Sequence, residues 1–257
     1  LLAAVYLSTG QWPKARTELE VVLQRQPDDS IARINLAKLE LHERNFQRVK
    51  ALVSPLVQQS PAAEAPALLL VAAEHGLQND AAADQVLEEL LKNNPSAALG
   101  RALLAGRALR GNKPERTLEY LAQFDKARME SSPALLELRG RAHLDLGRHA
   151  EALGNFERWA KLTPASGTAH FLRAESLSRL GRTQDAQGAL AQAVKLEPKN
   201  LPFRIAEVRA LTRSGQGDKA KAAAESARAD FKAARAQADV ARNEMSYAVL
   251  LADADGV

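Results

Sequence analysis

Hydrophobic residues recur along the chain in amphipathic runs with helical spacing, and prolines follow these runs at a fixed interval. Pro27, Pro61 and Pro95 are 34 residues apart, and so are Pro164 and Pro198. The runs end in VVLQRQP, LVQQSP, LLKNNP, WAKLTP and AVKLEP. Because proline lacks an N–H and has a fixed φ, each of these prolines marks a helix end. The pattern predicts a repeated helical unit.

A second marker recurs with the same period. Each unit contains a break, and the breaks are TGQW, ERNF, LQND, RGNK, LGRH, LGRT and SGQG. A small residue follows most of them: Ala15, Ala83, Ala152, Ala186 and Ala220, with Val49 and Thr117 in its place in the second and fourth units. Each unit therefore predicts a helix A, a tight turn and a helix B. The fourth unit has Met129 in place of the proline, and one residue is inserted before the fifth.

Composition supports helices throughout. Ala and Leu dominate the apolar residues and aromatic residues make up 4%, so strand-forming residues are sparse. The chain has no cysteine, which removes thiolate metal sites, cysteine nucleophiles and disulfides. The net charge is +4 and acids alternate with bases, which indicates a solvated helix surface and not a nucleic-acid-binding face. No apolar run is long enough for a transmembrane helix.

A 34-residue helix pair with this punctuation resembles the tetratricopeptide repeat family. The fifth unit matches the family best, with Gly140, Gly147, Ala152, Phe156 and Pro164 at its Gly, turn-Gly, Ala, aromatic and Pro positions. The resemblance covers roughly the whole chain. It implies an all-α solenoid of antiparallel helix pairs, wound as a right-handed superhelix with helix A on the concave side.

We therefore expect one solenoid over residues 1–257. Its repeats are predicted at 1–29, 30–63, 64–97, 98–132, 133–166, 167–200 and 201–234, followed by a terminal helix at 235–252. Both terminal helices are apolar, although a solenoid normally ends in a polar cap. We therefore expect the chain to be part of a longer repeat protein, with end-to-end association of copies as the alternative.

Four metal-ligand residue types lie close together around one turn: His143, Asp145, His149 and Glu151. Residues two apart on a helix point about 200° apart, so neither pair presents two ligands on one face. We interpret the stretch as a surface turn and predict no metal site, no cofactor and no catalytic residues.

Charge changes sharply near the middle of the chain. Between 51 and 100, Lys92 is the only basic residue against six acids, whereas 101–116 carries five basic residues against Glu115. Two interpretations stay open: the step orients a partner electrostatically, or it belongs to an ordinary solvated surface.

The resemblance also implies a groove lined by the fifth and ninth residues of each helix A. These are Ile34, Lys38, Leu68, Ala72, Ala102, Gly106, Glu137, Arg141, Phe171, Glu175, Ile205 and Arg209. Aromatic and Arg residues are the usual interface anchors, so Phe171, Arg141 and Arg209 are the expected anchors. The alternative is that groove residues, Ile34 and Ile205 above all, pack between adjacent A helices. The Lys and Asn that clamp carboxylates in some relatives are replaced by Glu137 and Leu172, which disfavours the binding of chaperone tails.

The resemblance implies a non-catalytic scaffold that binds a protein or peptide segment, with no nucleic acid. Stretches such as LLAAVYLSTGQWPKARTELEVVLQRQPDD are similar to bacterial repeat proteins of exopolysaccharide export, especially the repeat lipoproteins of the PEP-CTERM/exosortase system. That similarity implies a periplasmic or cell-envelope location, with the cytoplasm as the alternative and any membrane association made by segments outside this chain. Two other functions stay open: a polysaccharide-guiding module, and a regulatory repeat domain of a larger enzyme.

Overall fold

The computed structural model describes residues 2–254, with the side chains of residues 4, 7 and 238–254 left out. The described part is helical and contains no strand, which confirms the predicted all-α class. Its helices are α1 Leu2–Ser8, α2 Trp12–Arg25, α3 Ser30–His42, α4 Phe46–Gln59, α5 Glu64–Gly76, α6 Asp80–Asn93, α7 Ala98–Arg110, α8 Pro114–Leu121, α9 Lys126–Ser131, α10 Pro133–Asp145, α11 His149–Leu162, α12 Gly167–Arg179, α13 Thr183–Leu196, α14 Leu201–Arg213 and α15 Gly217–Ala254. Odd-numbered helices α1 to α7 and then α10, α12 and α14 are the A helices.

Every A helix ends in the same turn. One residue in each turn has a positive φ, namely Gly10, Arg44, Gln78, Asn112, Gly147, Gly181 and Gly215. The N–H of the next residue donates to a carbonyl five residues back, as Asn45 does to Glu40 at 2.8 Å. This is the Schellman arrangement, which satisfies the free carbonyls at a helix end. The seven breaks read from the sequence are therefore confirmed as turns.

The chain divides into two compact units. Unit 1 extends to Asp125 and contains helices α1 to α8, and unit 2 begins at Lys126 and contains α9 to α15. In unit 1, consecutive helices pack against each other, and α3 also contacts α5 as α5 contacts α7. The A helices α3, α5 and α7 are thus neighbours. The expectation of one solenoid over the whole chain stays a prediction.

The fourth helix B is interrupted, contrary to the uninterrupted helix expected within 98–132. Helix α8 ends at Leu121, and α9 begins only at Lys126. Leu121 and Met129, on either side of the break, are both buried. One residue is inserted in this repeat, and an uninterrupted helix would turn the later side chains by about 100° per added residue. The break allows both apolar side chains to reach the core.

The last helix also differs from the prediction. Helix α15 continues without interruption from Gly217 to Ala254, so the separate terminal helix expected at 235–252 is wrong. The physical reason is that residues 218–255 contain neither Gly nor Pro, while Ala, Lys, Arg and Glu favour helix. The side chains from 238 onward, on which the expected end-to-end association depends, lie outside the described residues. No helix in the described part combines the length and hydropathy needed to cross a bilayer.

Close approach of helices A and B depends on glycine in unit 2. Phe156 of α11 is fully buried, together with Ala152 and Trp159 of the same helix. A Cβ placed on Gly140 of α10 would lie 2.5 Å from the Phe156 ring. The missing side chain of Gly140 therefore leaves room for the aromatic ring of Phe156.

Four A helices, α3, α10, α12 and α14, begin with a side-chain cap of their own, whereas α5 and α7 do not. Asp29, for example, accepts a hydrogen bond from the N–H of Ala32 at 2.8 Å. The residue before α7 is Ala97, which has no capping group. Instead, Glu64 at the start of α5 accepts from the N–H groups of Leu99 and Gly100 at 2.9 and 3.1 Å. A residue of the preceding repeat thus caps this helix.

Candidate functional site

The turn that carries His143, Asp145, His149 and Glu151 is not organised as a metal centre. Within the described residues, no three His, Cys, Asp or Glu side chains are grouped closely enough to hold an ion. The Nδ1 atoms of His143 and His149 are buried and have no hydrogen-bond partner in the part of the chain that the structure describes. Burial lowers the pKa of His143, which favours the neutral imidazole.

The charge step identified in the sequence is largely paired within unit 1. Arg107 of α7 donates through Nε to Asp84 and lies 3.1 Å from Asp80 Oδ1. Arg116 of α8 forms an ion pair of 2.6 Å with Glu88 of α6. The hydrogen bond to Asp84 is the main reason that the pKa of Arg107 is raised. Of the two interpretations, the structure therefore favours internal pairing between neighbouring helices over the orientation of a partner.

The A helices of unit 1 carry an aliphatic surface. Among the residues expected to line the groove, Lys38 is exposed and Leu68, Ala72 and Ala102 are half-buried. Ile34 is half-buried as well, and it packs against the core formed by α3, α4 and α5, as the alternative interpretation proposed. Leu68 also borders a core cluster. The side chains at the centre of this surface are thus only partly accessible to a partner.

One expected groove residue of unit 1 has to be removed. Gly106 is buried, and a glycine has no side chain with which to reach a partner. Its burial follows from the close packing of α7 in the core, where Leu104 and Ala105 are buried beside it.

Three exposed aliphatic residues on this surface were missed. Ile31 is 71% exposed, Leu99 59% and Leu103 43%. Ile31 lies three residues before Ile34, and Leu99 three residues before Ala102, so each pair shares a helix face. The signal that could have found Ile31 and Leu99 is their place as the second residue of their repeats, which we did not carry into the expected set.

A pocket lies along α3, which also carries part of the aliphatic surface. Its volume is about 430 Å³, and Trp12, Asn35, Lys38, Leu39 and His42 line it. The Trp12 and His42 rings are tilted against each other with centroids 6.0 Å apart, and Trp12 is 45% exposed. No carboxylate lines the pocket. We name this the Trp12 pocket.

The A helices of unit 2 present a mixed surface. Arg141 Nε donates to Glu137 at 2.8 Å within α10, and Glu175 lies 4.0 Å from Arg179 within α12. These pairs connect neighbours on a single helix. Arg209 is exposed near the end of α14. The charged residues expected in this half of the groove are therefore accessible, at least in part, and already partly paired.

The aromatic anchor expected in unit 2 has a structural role. Phe171 of α12 is stacked on Phe203 of α14, with ring centroids 4.8 Å apart and an interplanar angle of 21°. It is half-buried and packs against the clusters on both sides of α12. Ile205 is 42% exposed, so it is not packed away between adjacent A helices.

Comparison with known proteins gives one consistent result. A tetratricopeptide-repeat model matches residues 1–48 and 103–167, and a second such model matches residues 168–200, which together make up more than half of the chain. No curated protein sequence gives a significant match.

Solved structures share the fold at low sequence identity. The C-terminal part of a TPR repeat-containing protein from Cytophaga hutchinsonii has a TM-score of 0.67 and 11% identity, covering 90% of this chain and 92% of its own. The pilF protein of Pseudomonas aeruginosa has a TM-score of 0.65 and 14% identity, covering 87% and 99%. YrrB, described as a TPR protein with an unusual peptide-binding site, has a TM-score of 0.63 and 16% identity, covering 74% and 97%.

Proposed function

Because the chain belongs to the tetratricopeptide repeat family, we propose that it is a non-catalytic scaffold that binds a peptide or protein segment on its A helices. The observation that carries the proposal is the exposure of Ile31, Leu99 and Leu103 on the A helices of unit 1. Exposed aliphatic residues grouped on one surface typically mark a site of association, because covering them removes apolar area from water.

The two units offer different chemistry to a partner. In unit 1 the surface is aliphatic, and Lys38 is the exposed charged residue among those expected to line the groove there. In unit 2 the surface combines the exposed Ile205 and Arg209 with the Glu137–Arg141 ion pair. A partner that contacts unit 2 would have to compete with that pair for the charged groups, which favours charge complementarity as the source of specificity there.

Support from the relatives is limited to fold. YrrB is described as having a peptide-binding site, and its helices superpose on most of this chain. At 16% identity, the similarity to YrrB is one of fold. The expected groove residues of this chain therefore remain part of the proposal.

Two narrower functions can be weighed against the structure. Polysaccharide guiding requires exposed aromatic side chains along the A helices, and Phe171, which the sequence offered, is stacked on Phe203. A role in exopolysaccharide export, in the periplasm or cell envelope, is supported by the general similarity of stretches such as residues 1–29 to repeat proteins of that system. Deleting the gene in the source organism tests it: loss of polymer export supports the role, and unchanged export refutes it.

The proposed scaffold is tested with selected peptides. Peptides are isolated from a random display library on the intact chain, and their affinities are measured for Leu103→Asn in unit 1 and Ile205→Asn in unit 2. The matched control is Leu162→Asn, which changes a comparably exposed aliphatic residue at the end of a B helix. We expect at least one A-helix variant to weaken binding about tenfold, because an apolar contact is lost.

The Leu162→Asn control separates the loss of a contact on the A helices from a general effect of replacing an exposed aliphatic residue. Leu162→Asn should leave the affinities unchanged within about twofold. If the library yields no binder, or if all three variants bind like the wild type, the scaffold proposal is wrong for these surfaces.

A further inference from the structure

The polar side chains of α5 already have partners. Glu64 accepts from the first turn of α7. Glu74 is bound by Lys50 at 2.8 Å, and His75 Nδ1 lies 2.9 Å from Asp80. What remains for a partner on this helix is aliphatic, as at Leu68 and Ala72. The centre of α5, residues 67–73, therefore offers no polar side chain with which to bind a peptide main chain.

The same holds for most of α7. Arg101 donates to the carbonyl of Pro95, and Arg107 is held by Asp80 and Asp84. The remaining surface is Leu99, Ala102 and Leu103, with Arg110 exposed at the end of the helix. Two adjacent A helices of unit 1 thus form a surface that lacks free hydrogen-bonding groups in its centre.

The surface of α5 and α7 favours a helical segment over an extended one. An extended peptide would bury N–H and C=O groups against aliphatic side chains, at a cost of about 1–3 kcal/mol for each group left unpaired. An α-helix satisfies its own main-chain hydrogen bonds and can lay an apolar face on the same surface. The surface of α5 and α7 is therefore suited to a helical ligand.

The charged residues beside the aliphatic surface indicate which charge the bound helix carries at its edges. Lys38 is exposed in the Trp12 pocket, and within the described residues it has no ion-pair partner. Asn35 lines the same pocket, and its side chain has no hydrogen-bond partner among those residues. Arg110, at the opposite side of the aliphatic surface, is likewise exposed and without a partner in the described part. On the A helices of unit 1, the described residues thus leave Lys38 and Arg110 without an ion-pair partner, whereas the carboxylates Glu40, Glu64 and Glu74 all accept hydrogen bonds. This surface is therefore complementary to acidic residues.

We propose that the A helices of unit 1 bind an amphipathic, acidic α-helical segment of a partner protein. Its aliphatic face covers Leu68, Ala72, Leu99 and Leu103, and a carboxylate enters the Trp12 pocket, where Lys38 and Asn35 bind it. This inference rests on the proposed scaffold function and names the class of its ligand.

The probe is a designed peptide. Three neighbouring A helices at about 10 Å spacing need a ligand of about 18 residues, because a helix rises about 1.5 Å per residue. The peptide is acetylated and amidated, with Leu on one helical face and Glu beside it. Two further peptides serve as comparisons: one carries Lys at every Glu position, and the other has the same charge with two central residues replaced by Pro.

Binding is measured by calorimetry and by the fluorescence of Trp12. Trp12 and Trp159 are the only tryptophans in the chain, and Trp159 is buried, so Trp159→Phe leaves Trp12 as the reporter. We expect the acidic helical peptide to bind and to change Trp12 fluorescence. Lys38→Glu should weaken it about tenfold, whereas Lys161→Glu, at an exposed lysine of unit 2, should not. Circular dichroism melting of both variants checks that they are folded.

Several results would overturn the inference. These are equal binding of the basic peptide, equal binding of the proline peptide, or unchanged affinity in Lys38→Glu. The acidic oligosaccharide trigalacturonate is tested as an alternative ligand. If it binds to the Trp12 pocket and the peptide does not, the site recognises an acidic saccharide. If these peptides fail while library peptides still bind through Leu103 or Ile205, only the ligand class is wrong and the scaffold proposal stands.

Discussion

The contact between Gly140 and Phe156 makes a sharp prediction about two equivalent substitutions. A Cβ on Gly140 would lie 2.5, 2.7 and 3.0 Å from three atoms of the Phe156 ring. The ring is fully buried, so it can move only by displacing its neighbours. Gly154, in contrast, lies in the middle of α11, and a Cβ there meets no atom within 4 Å. Gly→Ala therefore has opposite expected effects at these positions.

The magnitudes follow from two terms. Replacing Gly by Ala inside a helix stabilises it by about 1 kcal/mol. At Gly140, overpacking against the ring costs about 1–3 kcal/mol, and the short contacts favour the upper part of that range. We expect Gly140→Ala to lower the free energy of unfolding by about 1–2 kcal/mol, and Gly154→Ala to raise it by about 1 kcal/mol.

A double-mutant cycle isolates the contact. Phe156→Ala alone should cost about 3–5 kcal/mol, because a buried ring is lost. In that background the methyl group of Gly140→Ala has room, and the substitution should stabilise the chain by about 1 kcal/mol.

The assay is urea unfolding followed by circular dichroism and by the fluorescence of Trp159, whose ring centroid lies 6.4 Å from that of Phe156. Equal stabilisation by Gly140→Ala and Gly154→Ala would refute the packing argument. So would the absence of any coupling between Gly140→Ala and Phe156→Ala.

Three other predictions follow from the structure. Gln78 has a φ of 62°, so Gln78→Gly should raise the free energy of unfolding by about 0.5–1 kcal/mol in urea titrations. Burial opposes ionisation of Glu74, but hydrogen bonds from Lys50 and Asn79 outweigh it, and the pKa of Glu74 is lowered. Its carboxylate therefore stabilises the fold at pH above its ordinary pKa of 4.5, and that contribution disappears as the pH falls through the folded-state pKa. Thermal melts between about pH 5 and pH 3 should accordingly show a smaller loss of Tm for Glu74→Gln than for the wild type. Phe171→Ala should lower stability by about 2–3 kcal/mol in the same urea titrations, because Phe171 is stacked on Phe203, and an unchanged midpoint would mean that the ring is free for a partner.

The sequence predicted those parts of the fold that depend on signals within one repeat. The A helices from the second to the seventh pair begin within their expected repeats, because prolines and turn residues act over a few positions. The break after Leu121 was not predicted, since it results from the insertion in that repeat and from the burial of residues on both sides. The uninterrupted α15 was missed because periodicity was given more weight than the absence of a proline.

The expected binding surface was predicted less completely. Exposure of Lys38 and Arg209 follows from helical spacing alone. The burial of Gly106 and the stacking of Phe171 depend on neighbouring helices, and the spacing within one helix does not reveal them. The ion pair of Arg107 joins side chains 23 residues apart, so it too required the packed structure.

The cap that Glu64 provides to α7 has a consequence for how such repeats can be exchanged. Helices that carry their own cap, as α3 does with Asp29, keep it when a repeat is cut out and joined elsewhere. The fourth repeat would lose its cap on removal from the third, because Ala97 offers no replacement. In engineered arrays, the third and fourth repeats of this chain should therefore be transplanted as one cassette.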